Sequence, residues 1–520
     1  MSVNYFRTLL AAFVIVNLVG ISLTSCIREE DYADGNGVEL KFGNDTVSFD
    51  TIFTTVSSLT KTLMVYNDES KPIKIDRISL REGAASFFRL NIDGTTDLVA
   101  KDVEIGAKDS LYIFVKVELN PNNQSNPLLI EDEILFSFNG KTQSVVLQAY
   151  GQDAYYHKPT HFLLSRNSSS PSGYDTIWYS LVNEGGEQAG YVESGNEIRW
   201  KNDKPHVILG TCVVDSAFTL NLSAGTTIHL DKNSEFWVYT GGTLNATGDI
   251  ASPITFTSMR KDAQYANAAG QWGCMRFIAG CKNNVLENVV IKNNVIGILV
   301  DTCVSSSPTL TMKNTIVENC SYVGLYSRGA TLDAQNLIVQ NCGNYAVALT
   351  IGGNYNFVHC TFANYWQYST RTKATLLLND YYLDVNDNIQ YRPVEQASFH
   401  NCIIYGSLAE EEVEFDLLEG GYSQKYFENC IVKTKKYASQ TNVFANCLFS
   451  DPKFRAASEG DVSVGEGSVA ISAGNGAWSY IVPYDIYGNL RPDPPTIGAI
   501  EYVAAQEGKR LSFTRFKRQK

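Results

Sequence analysis

The segments IVENC (316–320) and IVQNC (338–342) place a hydrophobic pair, a polar residue and Asn-Cys at a spacing of 22 residues. A chain that repeats at so short a period must stack copies of one small unit, because each copy buries its apolar face only against its neighbours. Aligning the strand-like residues that follow an Asn or its stand-in extends the register to Asn288-Val-Val-Ile, Asn314-Thr-Ile-Val, Asn336-Leu-Ile-Val, His359-Cys-Thr-Phe, Asn401-Cys-Ile-Ile, Asn429-Cys-Ile-Val and Asn446-Cys-Leu-Phe. The intervals are 26, 22, 23, 42, 28 and 17 residues. Proline is scarce here, turns are rich in Asn, Gly and Thr, and no long helical periodicity is present. These features predict an all-β solenoid, a right-handed parallel β-helix over 203–502, with an insertion within 365–396. About 220 residues then make roughly ten coils, a rod about 50 Å long.

Eleven cysteines are present, and six recur in these frames: Cys320, Cys342, Cys360, Cys402, Cys430 and Cys447. A zinc site needs four ligands converging on one point, which a column spaced by coil heights does not supply, and no CxxC occurs. Disulfides are permitted in an exported protein. Cysteine that tracks a coil repeat instead predicts a buried structural ladder, since a free thiol packs as a small hydrophobe. The adjoining asparagines suit coil corners, where Asn tolerates the left-handed conformation and its amide bonds stacked neighbours. The pairs Asn319-Cys320 and Asn341-Cys342 follow a strand, whereas those at 359, 401, 429 and 446 precede one, so two corner columns are expected.

Ahead of the solenoid, VSFDTIF (47–53), KTLMVYN (61–67), IKIDRISL (73–80), FFRLNI (87–92), LYIFVKVEL (111–119), DEILFSF (132–138) and QSVVLQAY (143–150) read as seven strands, with a hairpin at Asn139-Gly140. Seven strands in about 115 residues predict an Ig-like β-sandwich over 38–154, followed by a connector over 155–202.

At the N-terminus, Arg7 precedes an apolar run from Leu9 to Leu23 that is short for a membrane span and ends in Leu23-Thr24-Ser25-Cys26. LTSC resembles the lipobox of bacterial lipoproteins. That resemblance implies a signal peptide over 1–25 and acyl chains such as palmitate on Cys26. Several such chains make a lasting anchor. The acidic tether 26–37, with Glu29, Glu30, Asp31 and Asp34, resembles the export tag of outer-membrane lipoproteins displayed on the cell exterior. The segment KPHVILGTCVVDSAFTLNLSAGTTIHLDKNSEFWVYTGGTLNATGDIASPITFTSMR, then GQWGCMRF and the closing DIYGNLRPDPPTIGAIEY (485–502), resembles bacterial surface lipoproteins defined by right-handed β-helix repeats, often with an N-terminal Ig-like companion. This implies fold and location more firmly than activity.

Lys+Arg 42 against Asp+Glu 55 argues against nucleic acid as the main partner. The basic tail 503–520 reverses that balance with Lys509, Arg510, Arg515, Lys517, Arg518 and Lys520, as a solvated end or a cationic peptide for anionic surfaces. None of the tripeptides Asn-Thr-Asp, Gly-Asp-Asp and Gly-His-Gly, by which a pectinase-type hydrolase of this fold supplies its carboxylates, occurs in 200–502. A lyase would need a cation beside a uronate, for which Arg276, Lys292, Arg371, Lys373 and Arg392 are the available side chains. The insertion is the expected seat of specificity. Its Tyr365, Trp366, Tyr368, Tyr381 and Tyr382 suit stacking on sugars or filling a protein interface. Its Asp384, Asp387 and Asn388 would hold Ca²⁺ only with backbone oxygens completing the shell. The expectation is a non-catalytic binding or scaffolding component of an outer-membrane protein assembly; the alternative is a polysaccharide lyase or glycan-binding module.

Overall fold

The computed structural model describes residues 31–504 except 36, 54–59, 119–127, 167–172, 185–188, 262–264 and 303–306. The expected leader, Cys26 and the basic tail beyond Ala504 lie outside the described residues. Contacts divide the chain into two compact units, 1–152 and 153–520.

The first unit is a β-sandwich of a four-stranded and a five-stranded sheet. All seven expected strands are present, and two more, Leu40–Phe42 and Val99–Ile105, were not legible. Leu40–Phe42 is too short to show a period, and Val99–Ile105 carries Lys101, Asp102 and Glu104 on a sheet edge. The hairpin forms as expected: Phe138 pairs with Lys141, and Asn139 and Gly140 take φ of 48° and 72°. Alternating residues such as Ile75, Ile113, Val115, Ile134 and Phe136 are fully buried between the sheets.

The second unit is a parallel β-helix with three flanks. Flank one runs from Tyr155–His157 to Ile431–Val432 in ten strands, flank two from His161–Arg166 to Val413–Asp416 in ten, and flank three from Gly190–Ser194 to Phe444–Ala445 in eleven. Coils therefore begin at residue 155. The stretch read as a connector over 155–202 supplies the first strands of every flank, and it is disguised because two of them, His161–Arg166 and Gly190–Ser194, run antiparallel to the next. Trp200 closes this end, stacked against the rings of His157 and His206 at 4.2 and 4.3 Å, and the two imidazoles are hydrogen-bonded to each other at 2.9 Å. Burial drives both imidazoles below their usual range, His206 to about 4, so they pack as neutral rings.

Inside, each position stacks on its equivalent one coil away. On flank three the core column reads Leu222, Ala246, Leu286, Met312 and Ala334, then Phe357, Phe399, Phe427 and Phe444. The last four rings stack at 5.1, 4.4 and 4.7 Å.

The C-terminal segment departs from expectation. After the strand Phe444–Ala445 it adds a single parallel bridge on flank one, Leu448 against Ile431, and then folds back along the outside of that flank. Val462, Ile486, Ala499 and Ile500 pack with Ile338 and Ala363, while Val464, Ala470 and Ile497 pack with Ile403, Tyr405 and Ile431. Polar ties fix it: Ala499 N donates to Thr361 Oγ1 at 2.9 Å, and Arg491 Nη2 to Asn336 Oδ1 at 2.8 Å. This explains the hydrophobic pair of the repeat. Val317, Val339 and Ile404 point into the core, and their partners Ile316, Ile338 and Ile403 point outward under the closing segment.

Candidate functional site

The Asn-Cys motifs form two corner columns. Before flank one, Asn288, Asn314, Asn336, His359, Asn401, Asn429 and Asn446 all hold φ between 47° and 53°; after it, Asn293, Asn319 and Asn341 hold 52° to 68°. Asn336 Nδ2 donates to Asn314 Oδ1 at 2.9 Å, and Asn401 Nδ2 meets His359 Nε2 at 3.1 Å, so His359 replaces Asn as a rung. Cys360, Cys402 and Cys430 are buried and Cys447 is half-buried. The N–H groups of Cys360 and Cys402 donate to the next coil's Sγ at 3.4 and 3.3 Å. Burial pushes the Cys360 and Cys430 thiols up, away from the reactive thiolate. Cys320 pairs directly with Cys342.

In-register residues on parallel strands have parallel Cα–Cβ bonds, leaving their Cβ atoms about 4.8 Å apart, more than the roughly 3.5–4.5 Å a disulfide spans. Thiol titration of the denatured, unreduced protein is therefore expected to find all nine described cysteines free; four or five disulfides would contradict the ladder.

The insertion is two excursions separated by an ordinary flank-two strand, Leu376–Asn379, which pairs with Val347–Thr350 on one side and Val413–Asp416 on the other. The first excursion, 365–375, leaves the corner between flanks one and two. The second, the hairpin of Tyr381–Leu383 with Ile389–Tyr391, leaves the corner between flanks two and three. The expected aromatics therefore do not converge. Tyr365 turns under the closing segment against Phe454. Trp366 packs over Gly343 and edge-on to Tyr368 at 4.9 Å, and the Tyr368 hydroxyl donates to Asn267 O at 3.1 Å. That arm lies lengthwise over the corner of preceding coils. On the other side, Tyr381 donates to Asp416 Oδ1 at 3.0 Å, and Arg392 lies 5.7 Å from the Tyr382 ring.

Asp384 accepts from Asn386 N, Asn388 N and Gln390 Nε2 at 2.9, 3.0 and 2.8 Å, closing the hairpin turn in which Asp387 takes φ of 60°. These donors hold its carboxyl below the usual range. A Ca²⁺ shell needs oxygens around the ion, and N–H groups surround this carboxylate, so Asp384 is already engaged in the turn and does not fit the expected ligand role. Among the described residues no group of three or more His, Cys, Asp or Glu is placed to hold a metal.

Between the two excursions lies the outer face of flank two. Its central column runs in register from Trp237 through Arg276, Leu299, Tyr326 and Ala348 to Leu377 and Glu414. Val323, Tyr345 and Ala348 are buried beneath Tyr326 and Leu377, and the Tyr345 hydroxyl donates to Glu414 Oε2 at 3.0 Å. Arg276 donates twice to Asp301 Oδ2, at 2.9 and 3.1 Å, and Arg328 binds the other oxygen. The result is a strip, here called the trough, with an aromatic and aliphatic floor, oriented carboxylates at one end and arginines toward the other, flanked on both sides by the excursions beside its last strands.

Of the cations considered for lyase chemistry, Arg276 and Lys373 border this trough and Lys292 stands on flank one. Arg371 is committed elsewhere: it is buried and bidentate to buried Glu412 at 2.6 and 2.8 Å. Sequence reasoning missed Trp237, Tyr326, Tyr345, Glu414 and Asp416. Their signal is the outward position on flank two, visible only once the coil register is known.

No protein-family model matches the chain, and no curated protein matches it. Among solved structures, a family 123 glycoside hydrolase from Clostridium perfringens aligns at 7% identity over 22% of this chain and 27% of its own length, with a TM-score of 0.17. A PapD-like domain of human CEP192 aligns at 9% identity over 24% of this chain and 90% of that domain, TM-score 0.16. The catalytic domain of a GH87 alpha-1,3-glucanase, solved with nigerose, aligns at 11% identity over 72% of this chain and 82% of that domain, TM-score 0.17. The chain thus spans about a quarter of the first of these structures, and at such scores none bears on activity.

Proposed function

We propose that the chain is a lipid-anchored outer-membrane protein, facing the cell exterior, whose solenoid serves as a non-catalytic binding or scaffolding component of an envelope assembly. One observation carries the binding role: the closing segment covers flank one from the strand of Ile316 to that of Ile431, whereas the outer face of flank two lies between the two excursions with Tyr322 and Tyr368 exposed beside it. Loops raised on a rigid stack are where recognition concentrates. The floor carboxylates Glu414 and Asp416 are held by tyrosine hydroxyls, an arrangement that presents fixed acceptors to a ligand. Support for the anchor is the LTSC motif after the apolar run, and for outward display the acidic residues that follow it.

Replacing Cys26, as Cys26→Ala, is expected to move the protein from the membrane to the soluble fraction and to abolish acyl labelling. Continued acyl labelling would overturn the anchor. Degradation of the wild-type protein by protease added to intact cells would support exterior display, and full protection would contradict it.

A further inference from the structure

We propose that the trough on flank two binds a neutral polysaccharide chain laid along the rod axis. This rests on reading flank two as the binding face and goes on to name its ligand.

Three properties select the class. The first is width. The floor strands Val347–Thr350, Leu376–Asn379 and Val413–Asp416, beside the excursions, have four residues each, about 13 Å, and Trp272–Phe277, Asn294–Val300 and Val323–Arg328 farther along have six or seven, about 20–23 Å. A globular partner buries about 800 Å² of its own surface, which so narrow a strip does not offer, whereas a single linear chain fits. The six steps from Trp237 to Glu414 give it about 29 Å of track.

The second is the mode of contact. The floor strands between Glu235 and Asn379 are hydrogen-bonded on both sides and only Val413–Asp416 ends the sheet, so along most of the track no backbone edge is open to an added peptide strand. Recognition falls to side chains, and those present combine planar rings with directional polar groups. Tyr368 and Tyr322 are 64% and 46% exposed on the wall, with Trp366 beside them. Tyr326 lies on the floor, and the Glu414 and Asp416 carboxylates accept from hydroxyl groups. Rings for the apolar faces of sugars and carboxylates for their hydroxyls are the complement of a pyranose chain.

The third is charge. Arg276 and Arg328 are both engaged by Asp301, and Glu414 and Asp416 by tyrosines. Counting Lys373 and Glu235, three cations face four carboxylates, with no surplus of positive charge for a polyanion. The ligand is accordingly uncharged, which sets it apart from the uronate chain a lyase would take.

The test is calorimetric titration of the detergent-extracted full-length protein with cellohexaose, laminarihexaose, maltohexaose and mannohexaose, and with polygalacturonate. Saturable binding of at least one neutral hexasaccharide is expected, weakened about tenfold or more by Tyr368→Ala and by Glu414→Gln. Tyr112→Ala, on the sandwich, should leave it unchanged. Tyr368 is exposed, so an unaltered unfolding midpoint in its variant separates lost contact from lost fold. Failure of all four neutral sugars, preference for polygalacturonate, or binding that survives both substitutions would overturn the proposal. If the sugars fail while a crosslinker at Leu377 captures a protein, the glycan assignment falls and the binding-face reading stands; if Leu377 captures nothing, both fall.

Discussion

Arg371→Ala is expected to destabilise the solenoid by about 3–5 kcal/mol, far more than the loss of an exposed ion pair, which is worth about 0–1 kcal/mol. The reason is what remains behind. Glu412 is 0% exposed, and its carboxylate also accepts from Thr375 Oγ1 at 2.7 Å and Leu408 N at 2.8 Å. Without the guanidinium a negative charge stays buried beside two neutral donors. Arg371 also donates to Lys373 O at 2.6 Å and Asn364 O at 3.0 Å, which pins the 365–375 excursion to the stack. Denaturant unfolding should show the loss, and limited proteolysis should cut first within 365–375. Arg276→Ala is the control: its partner Asp301 keeps Arg328, and the change should fall within about 1 kcal/mol. An Arg371→Ala protein as stable as the parent would show that the excursion is held some other way.

The second large effect concerns the aromatic column. Phe399→Ala should cost about 3–5 kcal/mol, because a fully buried ring is removed and the coils above and below, fixed by their hydrogen-bond ladders, collapse into the gap only partly. Its ring stacks on Phe357 at 5.1 Å, with planes 11° apart, and on Phe427 at 4.4 Å, with planes 4° apart. Both stacking contacts disappear with it. Phe399→Leu retains most of the volume and loses only the stacking, so its cost should be clearly smaller. The midpoint of denaturant unfolding distinguishes the two; equal costs would mean that ring stacking, and not volume, governs this column.

The solenoid was legible because stacking forces identical chemistry into register. Asn314, Asn336, Asn401 and Asn429 recur because one corner needs the left-handed conformation at every coil, and that requirement survives in the bare sequence. The edges of the solenoid were less legible. The first coil is hidden because His161–Arg166 and Gly190–Ser194 form hairpins and lack the corner motif. DIYGNLRPDPPTIGAIEY was readable as a closing element, but its place along flank one depends on contacts more than a hundred residues apart, such as Arg491 Nη2 to Asn336 Oδ1 at 2.8 Å.

The candidate site was only half legible, for the same reason. Trp366, Tyr368 and Tyr381 stand out as aromatics in an insertion, and they do border the trough. Tyr365 stands out equally and is packed away beneath Phe454. The floor residues Tyr326, Leu377 and Glu414 lie at intervals of 51 and 37 residues, and only the register of three flanks brings them into one column.

The central claim is that flank two is the face that meets a partner. Placing the photo-crosslinking residue p-benzoylphenylalanine at Leu377, on the trough floor, and separately at Asn245, on the outer face of flank three, tests it in intact cell envelopes. Illumination should give an adduct, to a glycan or a protein, from position 377 and none from 245. Adducts from 245 with none from 377 would contradict it.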